Sequence, residues 1–455
     1  MKRLIIQKSL IFLAATFLLV ACNQSELSSS SIVNSTQPEQ KSFKKDVIDS
    51  IVNNYKNEHQ FMGSVTILKD GIPVYSYATG FSDYENKKNA TIETKYRIGS
   101  ISKTFTALLT LIAVEEGKLT LSQTLEKFHP KVPNASKITI EQMLNHRSGI
   151  SSYTGDPKFM KYLANGASID EMMDIIVNYS SVFEPGSKES YSNSNYYLLT
   201  LILEHIYQQP YAKLIQEKIS TPLSLTRSYY AERISGEKNE AYSYRNTSTV
   251  ERAKEMSHSV MLGAGGIVST PTDLAELYHA IFNGKLINQE SLKNMLTIED
   301  TFGLGIQKLT YLGKESYGHR GKVDEFNSIV LYNPKEKISL AIIDNSSFSE
   351  MPNIAKEILS SYFGNQSIPI TAEELEKFVG VYDSVDSEDE TVFERQENRL
   401  ILVIKGEFRE ELIYKGNNNF LFDQPYAPAI TFMFSEDGNE FVFKQNSEFR
   451  YTKRR

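Results

Sequence analysis

Serine stands three residues ahead of lysine at Ser42/Lys45, Ser100/Lys103 and Ser235/Lys238. On a helix that spacing puts the amine on the same face as the hydroxyl, where it can draw off the proton and make the oxygen a nucleophile. Ser100 alone precedes a long apolar helical pattern, in Arg97-Ile98-Gly99-Ser100-Ile101-Ser102-Lys103-Thr104-Phe105; Ser42 lies in a polar leader and Ser235 in a polar loop. A serine at a helix start also has unpaired backbone N–H groups and the positive end of the helix dipole beside it, which suits a developing oxyanion. The plainer role for Ser100 is a helix cap, with Lys103 in solvent.

Tyrosine two residues ahead of asparagine occurs at Tyr55, Tyr84, Tyr191 and Tyr244. Tyr191-Ser192-Asn193 is set apart by Glu184-Pro185-Gly186 before it and the helical Tyr196-Tyr197-Leu198-Leu199 after it. A loop tyrosine beside a lysine can share a proton with it, although most of the 26 tyrosines must serve packing. His319-Arg320-Gly321 is the one His-x-Gly of the chain, shortly before a β-rich run at Ser328 to Tyr332. Other chemistries lack their residues. There is no Gly-x-Ser-x-Gly elbow, no Gly-Lys-Ser/Thr phosphate loop and no His-Glu-x-x-His among the seven histidines.

The elements that must carry these residues follow from periodicity. Lys44 to Tyr55 has helical spacing, and Gly63 to Ala78 reads as two strands about the turn Asp70-Gly71. Arg97 to Glu116 holds a long helix stopped by Gly117, and Tyr196 to Tyr207 a second. A third begins at Thr270-Pro271-Thr272-Asp273, with a cap and a proline at the first helical position. Ser328 to Tyr332 and Ile338 to Ile343 are strands about Asn333-Pro334, and 346–364 is a helix. A β start, a helical middle and a β return predict one antiparallel sheet built from both ends of a domain, flanked by helices, with a helical subdomain inserted. The fold class is therefore α/β (α+β). Beyond Ile370 short alternating strands (Val392-Phe393, Leu400 to Ile404, Phe432 to Phe434, Phe441 to Phe443) predict a small all-β barrel or sandwich that carries no chemical constellation.

The 455 residues carry Lys plus Arg 49 against Asp plus Glu 56, a formal charge of −7, without the basic block that nucleic acid demands. The single cysteine excludes intramolecular disulfides and Cys-based zinc sites. It is Cys22, at the end of a basic start (Lys2, Arg3, Lys8) and an apolar run from Leu10 to Ala21. That run is shorter than the ~20 residues a spanning helix needs, and its flanks are those of a signal peptide. Leu19-Val20-Ala21-Cys22 resembles a bacterial lipobox, whose cysteine becomes lipidated. The expected organisation is a lipoprotein signal peptide (1–21), a Ser-, Asn- and Gln-rich tether (22–43), a hydrolase domain (44–364) and the β domain (365–455). The product would be exported and held on a bacterial membrane through Cys22.

Taken in order, Ser100…Lys103, Tyr191…Asn193 and His319…Gly321 resemble the serine β-lactamase and penicillin-binding-protein family, in its class C-like branch. Leu144-Asn145-His146-Arg147-Ser148-Gly149 is similar to that branch's Leu-x-His-x-Ser-Gly, and Gly265-Gly266-Ile267-Val268-Ser269-Thr270 to its Gly-Gly-x-x-Ser-Thr turn. The class A triplets Ser-Asp-Asn and Lys-Thr-Gly are absent, and His319 fills the lysine's slot. The resemblance covers roughly residues 45 to 362. It implies Ser100 as nucleophile, Lys103 and Tyr191 as one proton-transfer unit, and Asn193 orienting the substrate amide and Lys103. It also implies His319 holding the tyrosine's polar environment, and Gly321 with Arg320 and Lys322 lining the substrate site. The oxyanion would lie between the N–H groups of Ser100 and Lys322. No cofactor or metal is implied. Substrates of the branch are D-alanyl-D-alanine peptides from peptidoglycan, β-lactams or esters, and a catalytically silent binding lipoprotein is the alternative from another class. Arg320 and Glu325 depart from the branch's small hydroxyl residue and glycine, and are expected to change the charge at the mouth of the site.

Overall fold

In the computed structural model the described residues are 42–58, 61–246, 249–347, 351–363, 370–404, 408–423, 430–444 and 448–454. All lie in the unit Ser42–Arg455; the leader and Cys22 fall outside them. Helix α1 (Lys45–Glu58) leads into strands β1 (Gly63–Lys69) and β2 (Ile72–Thr79), whose Asp70-Gly71 turn has φ of 53° and 78° at its two residues. That pair of positive φ values is what a two-residue hairpin turn requires, and Asp-Gly supplies it with little strain. The chain then crosses to α2 (Ser102–Glu115), α3 (Asn193–Tyr207) and α4 (Pro271–Phe282). It returns through β3 (Gln307–Tyr311), β4 (Lys314–Val323), β5 (Phe326–Asn333) and β6 (Ile338–Asp344) to α5 (Met351–Phe363). Every neighbour in the resulting sheet, ordered β3-β4-β5-β6-β1-β2, is antiparallel.

The sheet is covered on both faces, which is why β5 and β6 carry consecutive apolar residues, Ile329 to Tyr332 and Leu340 to Ile343, rather than alternating ones. Ile329, Leu331, Leu340 and Ile342 pack with Ile48 and Val52 of α1 and Ile354 and Ile358 of α5. The intervening Val330, Tyr332, Ala341 and Ile343 join the larger core with Phe105, Leu108 and Leu109 of α2 and Leu274 and Leu277 of α4. Thr270 caps α4 by accepting the Asp273 N–H at 3.2 Å, with Pro271 at the first helical position. Helix α3 starts three residues earlier than its hydrophobic period indicates, because Ser192 takes the N-cap position and Asn193, Ser194 and Asn195 spend polar side chains inside the first turn. The described part of helix α5 is Met351–Phe363, and residues 346 and 347, expected within it, lie outside any helix, since Asn345 and Ser346 are used to join β6 to neighbouring loops.

The C-terminal residues close an eight-stranded antiparallel barrel from Gly380–Ser384 to Glu448–Lys453, the last strand pairing with the first through Tyr382↔Lys453. Its interior is aromatic: Phe378, Tyr382, Phe393, Phe420, Phe432, Phe434 and Phe441 meet mostly edge to face. At the hydrolase side, buried Asp423 accepts the N–H groups of Leu312 and Gly313 in the turn between β3 and β4. Among the described residues no helix is long and apolar enough to cross a membrane.

Candidate active site

Four segments meet at Ser100. The first is its own: Gly99–Ile101 forms a tight 3-10 turn that feeds α2, so Lys103 comes round onto the serine. Lys103 is completely buried; its Nζ donates to Asn193 Oδ1 (2.8 Å) and the Ala264 carbonyl (2.7 Å) and lies within hydrogen-bond distance of Ser100 Oγ (3.1 Å), where the neutral amine's lone pair can accept the serine proton. Burial with no carboxylate partner pushes its pKa well below the usual lysine range. The solvated lysine of the plainer reading is thus excluded. The Gly-Gly-x-x-Ser-Thr segment explains the Ala264 carbonyl: its strand Ile267–Ser269 pairs with Tyr96-Arg97, and the Ile267 N–H bonds to Ser102 Oγ at 3.0 Å.

The second segment is Tyr191 to Asn193. The Tyr191 hydroxyl lies beside the Ser100 side chain, and Lys103 Nζ lies 4.7 Å from the tyrosine ring centre. Burial raises the phenol's pKa, with the neighbouring Ser100 opposing. Amine and phenol are therefore both favoured in their neutral forms. Asn193, at the first position of α3, presents its carbonyl to Lys103 and its amide nitrogen to Thr154 Oγ1 (3.4 Å).

The third is the Leu-x-His-x-Ser-Gly loop. His146 is buried, its ring packs 4.4 Å from that of Tyr191, and its Nδ1 accepts the Ser192 N–H at 3.1 Å. Of the two histidines, it is the one whose ring packs directly on Tyr191. Desolvation holds it neutral, and Lys103 and His319 add to the effect. Gly149 closes the loop at φ +74°, where a Cβ would stand 2.2 Å from the Phe183 carbonyl.

The fourth is β4. His319 is buried and neutral, its pKa pushed down to about 3 chiefly by desolvation, and its Nδ1 bonds the Arg320 carbonyl at 2.6 Å. Phe302 lies against both rings, 6.3 Å from His319 and 5.5 Å from Tyr191, so the histidine meets the tyrosine through an aromatic neighbour. Gly321 lets β4 pass the Ile98 carbonyl: a Cβ there would lie 1.9 Å from that oxygen. Gly99, at φ +49°, packs as closely on Lys322, a Cβ falling 2.7 Å from the Lys322 nitrogen. The backbones of Ser100 and Lys322 are thereby brought side by side.

Two cavities open from Ser100 and Lys322. One, of about 110 Å³, is walled by Tyr153, Phe159, Met256, Met261 and Val323. The other, of about 340 Å³, contains Tyr191, Phe302, His319, Arg320 and Asn327. Among the described residues no Asp or Glu lines either. Glu325, expected at the mouth, is instead bound to Arg245 (2.8 Å) and Ser347 (2.7 Å) and lines a separate 680 Å³ groove. Its position two residues into the turn after β4 carries it away from the serine.

The remaining copies of the motifs are structural. Tyr55 donates to Glu357, Tyr244 to Glu85, and Lys238 lies 3.9 Å from Glu232. His146, Phe302, Tyr153 and the Ala264 carbonyl went unassigned in the sequence reading. Only the first had a signal there, since its motif was legible but not its duty.

A model of the Beta-lactamase family matches residues 48–360. A penicillin-binding protein of Bacillus subtilis (strain 168) is 25% identical over 432 residues, covering 84% of this chain and 94% of that protein. D-amino acid amidase from Ochrobactrum anthropi SV3, complexed with D-phenylalanine, superposes with a TM-score of 0.65 at 24% identity, over 70% of this chain and 99% of that one. The octameric penicillin-binding protein homologue from Pyrococcus abyssi gives 0.63 at 23% identity, over 89% and 99%. The chain belongs to the Beta-lactamase family and is a serine hydrolase of the β-lactamase and penicillin-binding-protein type.

Proposed function

We propose that the protein is a membrane-anchored acyl hydrolase that cleaves D-alanyl-D-alanine or related D-amino-acid peptides of the cell wall through an acyl-enzyme on Ser100. The observation that carries the mechanism is the buried Lys103 amine 3.1 Å from the Ser100 hydroxyl. Ser100 Oγ attacks the scissile carbonyl as its proton passes to Lys103, and the oxyanion takes the N–H groups of Ser100 and Lys322. Tyr191 protonates the departing nitrogen and is reprotonated from Lys103, so amine and phenol act as one unit. Water then attacks the ester with the roles reversed.

Tyr191 borders the larger cavity and not the smaller, which supports a leaving group in the former and the acyl group in the latter. A dry apolar cavity of ~150 Å³ holds benzene, so the 110 Å³ acyl side suits something smaller, such as the methyl of alanine. Arg320, on the leaving side, suits a terminal carboxylate as a fork. The amidase and penicillin-binding relatives support amide substrates. Anchoring rests on the Leu19-to-Cys22 run alone.

Mass spectrometry of mature protein incubated with penicillin and with a D-alanyl-D-alanine peptide tests the whole reading. A diacylglyceryl mass on residue 22 and a slowly released adduct on Ser100, absent in Ser100→Ala, are expected. Rapid release would mean a β-lactamase, and no adduct with either would leave a selective esterase or a binding lipoprotein. Equal cleavage of free-acid and amidated peptides would remove Arg320 from its role.

A further inference from the structure

Arg97 is 2% exposed and lies three residues ahead of Ser100. Its guanidinium donates to Asp324 (3.2 Å), to Glu255, and to the carbonyls of Met256 (2.7 Å) and Glu232 (3.0 Å). Asp324, whose side chain is 1% exposed, lies two residues past Lys322 and accepts the Met256 N–H at 2.7 Å. It occupies the turn between β4 and β5 at φ +51°, a conformation aspartate tolerates better than most residues, and its carboxylate turns back onto Arg97. An ion pair this buried costs desolvation that an apolar pair would not, so its worth must lie in geometry rather than stability. The geometry is specific: the pair ties together the two backbone segments that carry the Ser100 and Lys322 N–H groups. It also ties in Met256, which walls the small cavity.

We propose that the Arg97–Asp324 pair is a clasp that positions the oxyanion hole, and that protonating Asp324 loosens it. This rests on the role given above to the two N–H groups. Both are positioning residues, since neither lines a cavity at Ser100. Desolvation raises the Asp324 pKa to about 6, against the pull of Arg97 and the Met256 N–H and with the repulsion of Glu255. The adjacent Glu325 is occupied by Arg245. His319 stays neutral to about pH 3 and His146 is held neutral by burial, so neither imidazole adds a titration of its own as acid is added.

The test is acylation of the full chain by a fluorescent penicillin between about pH 4.5 and 8.5, comparing wild type with Asp324→Asn. Because both share the Lys103 titration, their rate ratio isolates Asp324. At pH 8 the variant should be roughly 10- to 100-fold slower, short of the 10²–10³ for outright loss of an oxyanion donor. The ratio should then close toward one below about pH 5, with its midpoint near 6. A ratio within twofold at pH 8, or one that does not change with pH, overturns the clasp and leaves a purely structural pair. If Asp324→Asn does not fold, Glu255→Gln reads the same device. Removing that repulsion lowers the Asp324 midpoint, so the variant should gain on wild type just below pH 6, and no gain overturns the proposal. Wild type that is unlabelled at every pH would instead overturn the assignment of Ser100, and the clasp with it.

Discussion

A single methyl group on Gly321 probes the site geometry most severely. In Gly321→Ala the new Cβ would meet the Ile98 carbonyl at 1.9 Å and Ser328 Oγ at 2.6 Å. Ser328 can rotate away; the carbonyl cannot, because it is backbone and Ile98 is itself held through its N–H to the Ile267 carbonyl at 3.1 Å. Restoring ordinary contact needs about 1.5 Å of separation between β4 and the Ile98–Ser100 segment. The same two segments carry the Ser100 and Lys322 N–H groups. A misplacement of ~1 Å costs on the order of 100-fold in rate, or roughly 2.7 kcal/mol of barrier. Overpacking adds about 1–3 kcal/mol of lost stability. The two effects separate with Gly318→Ala as control, where a Cβ would meet the Val330 carbonyl at 2.0 Å, in the same strand but three residues from Gly321. Both variants should melt earlier, and only Gly321→Ala should lose acylation by fluorescent penicillin at 25 °C. Acylation of Gly321→Ala within threefold of wild type would refute the account of how the oxyanion hole is built.

Lys103→Met should lower acylation by ~10³ or more while the protein stays folded at 25 °C, the buried Ala264 carbonyl left without its donor costing about 1–3 kcal/mol. In wild type the ammonium form is inactive, so acylation falls as pH drops through the depressed Lys103 pKa and is level well before the ordinary lysine range; a rate still climbing tenfold per unit at pH 10 would contradict that sign. His146→Ala removes the ring beneath Tyr191 and the acceptor for the Ser192 N–H, and should cost at least tenfold in kcat together with ~1–3 kcal/mol in chemical denaturation. Asp423→Ala strips the acceptor from the Leu312 and Gly313 N–H groups and should lower the melting temperature, while leaving acylation at 25 °C unchanged because that turn is at the far end of β4 from Arg320.

What was legible in the sequence follows from how local each determinant is. Ser100 and Lys103 could be paired because their contact spans one helical turn, and α4 could be placed because Thr270, Pro271 and Asp273 form a cap in four residues. The sheet could be assembled in outline because β5 and β6 advertise burial on two faces. The part played by His146 could not be read, since the ring it supports is 45 residues away and its Nδ1 bonds a backbone N–H rather than a motif residue. The start of α3 was missed because its first turn is polar for reasons of tertiary contact: Asn193 and Asn195 face Lys103 and Ser148, not solvent. Four barrel strands escaped notice where alternation is masked by charged exteriors, as in Phe408–Gly416.

The electrostatic character of the site is the reverse of the whole chain's. The protein is acidic at −7, yet among the described residues no carboxylate borders either cavity at Ser100, while Arg320 lines the larger one and Lys322 both. A carboxylate near Lys103 would hold it as an ammonium and disable the base. Excluding acids therefore serves two ends at once. It keeps the amine able to accept a proton, and it leaves a positive field that favours the carboxylate-ended substrate proposed above. Placing Asp324 and Glu255 behind the backbone, with Arg97 between them, supplies the site's mechanical support from charged groups without letting their field reach the amine unopposed.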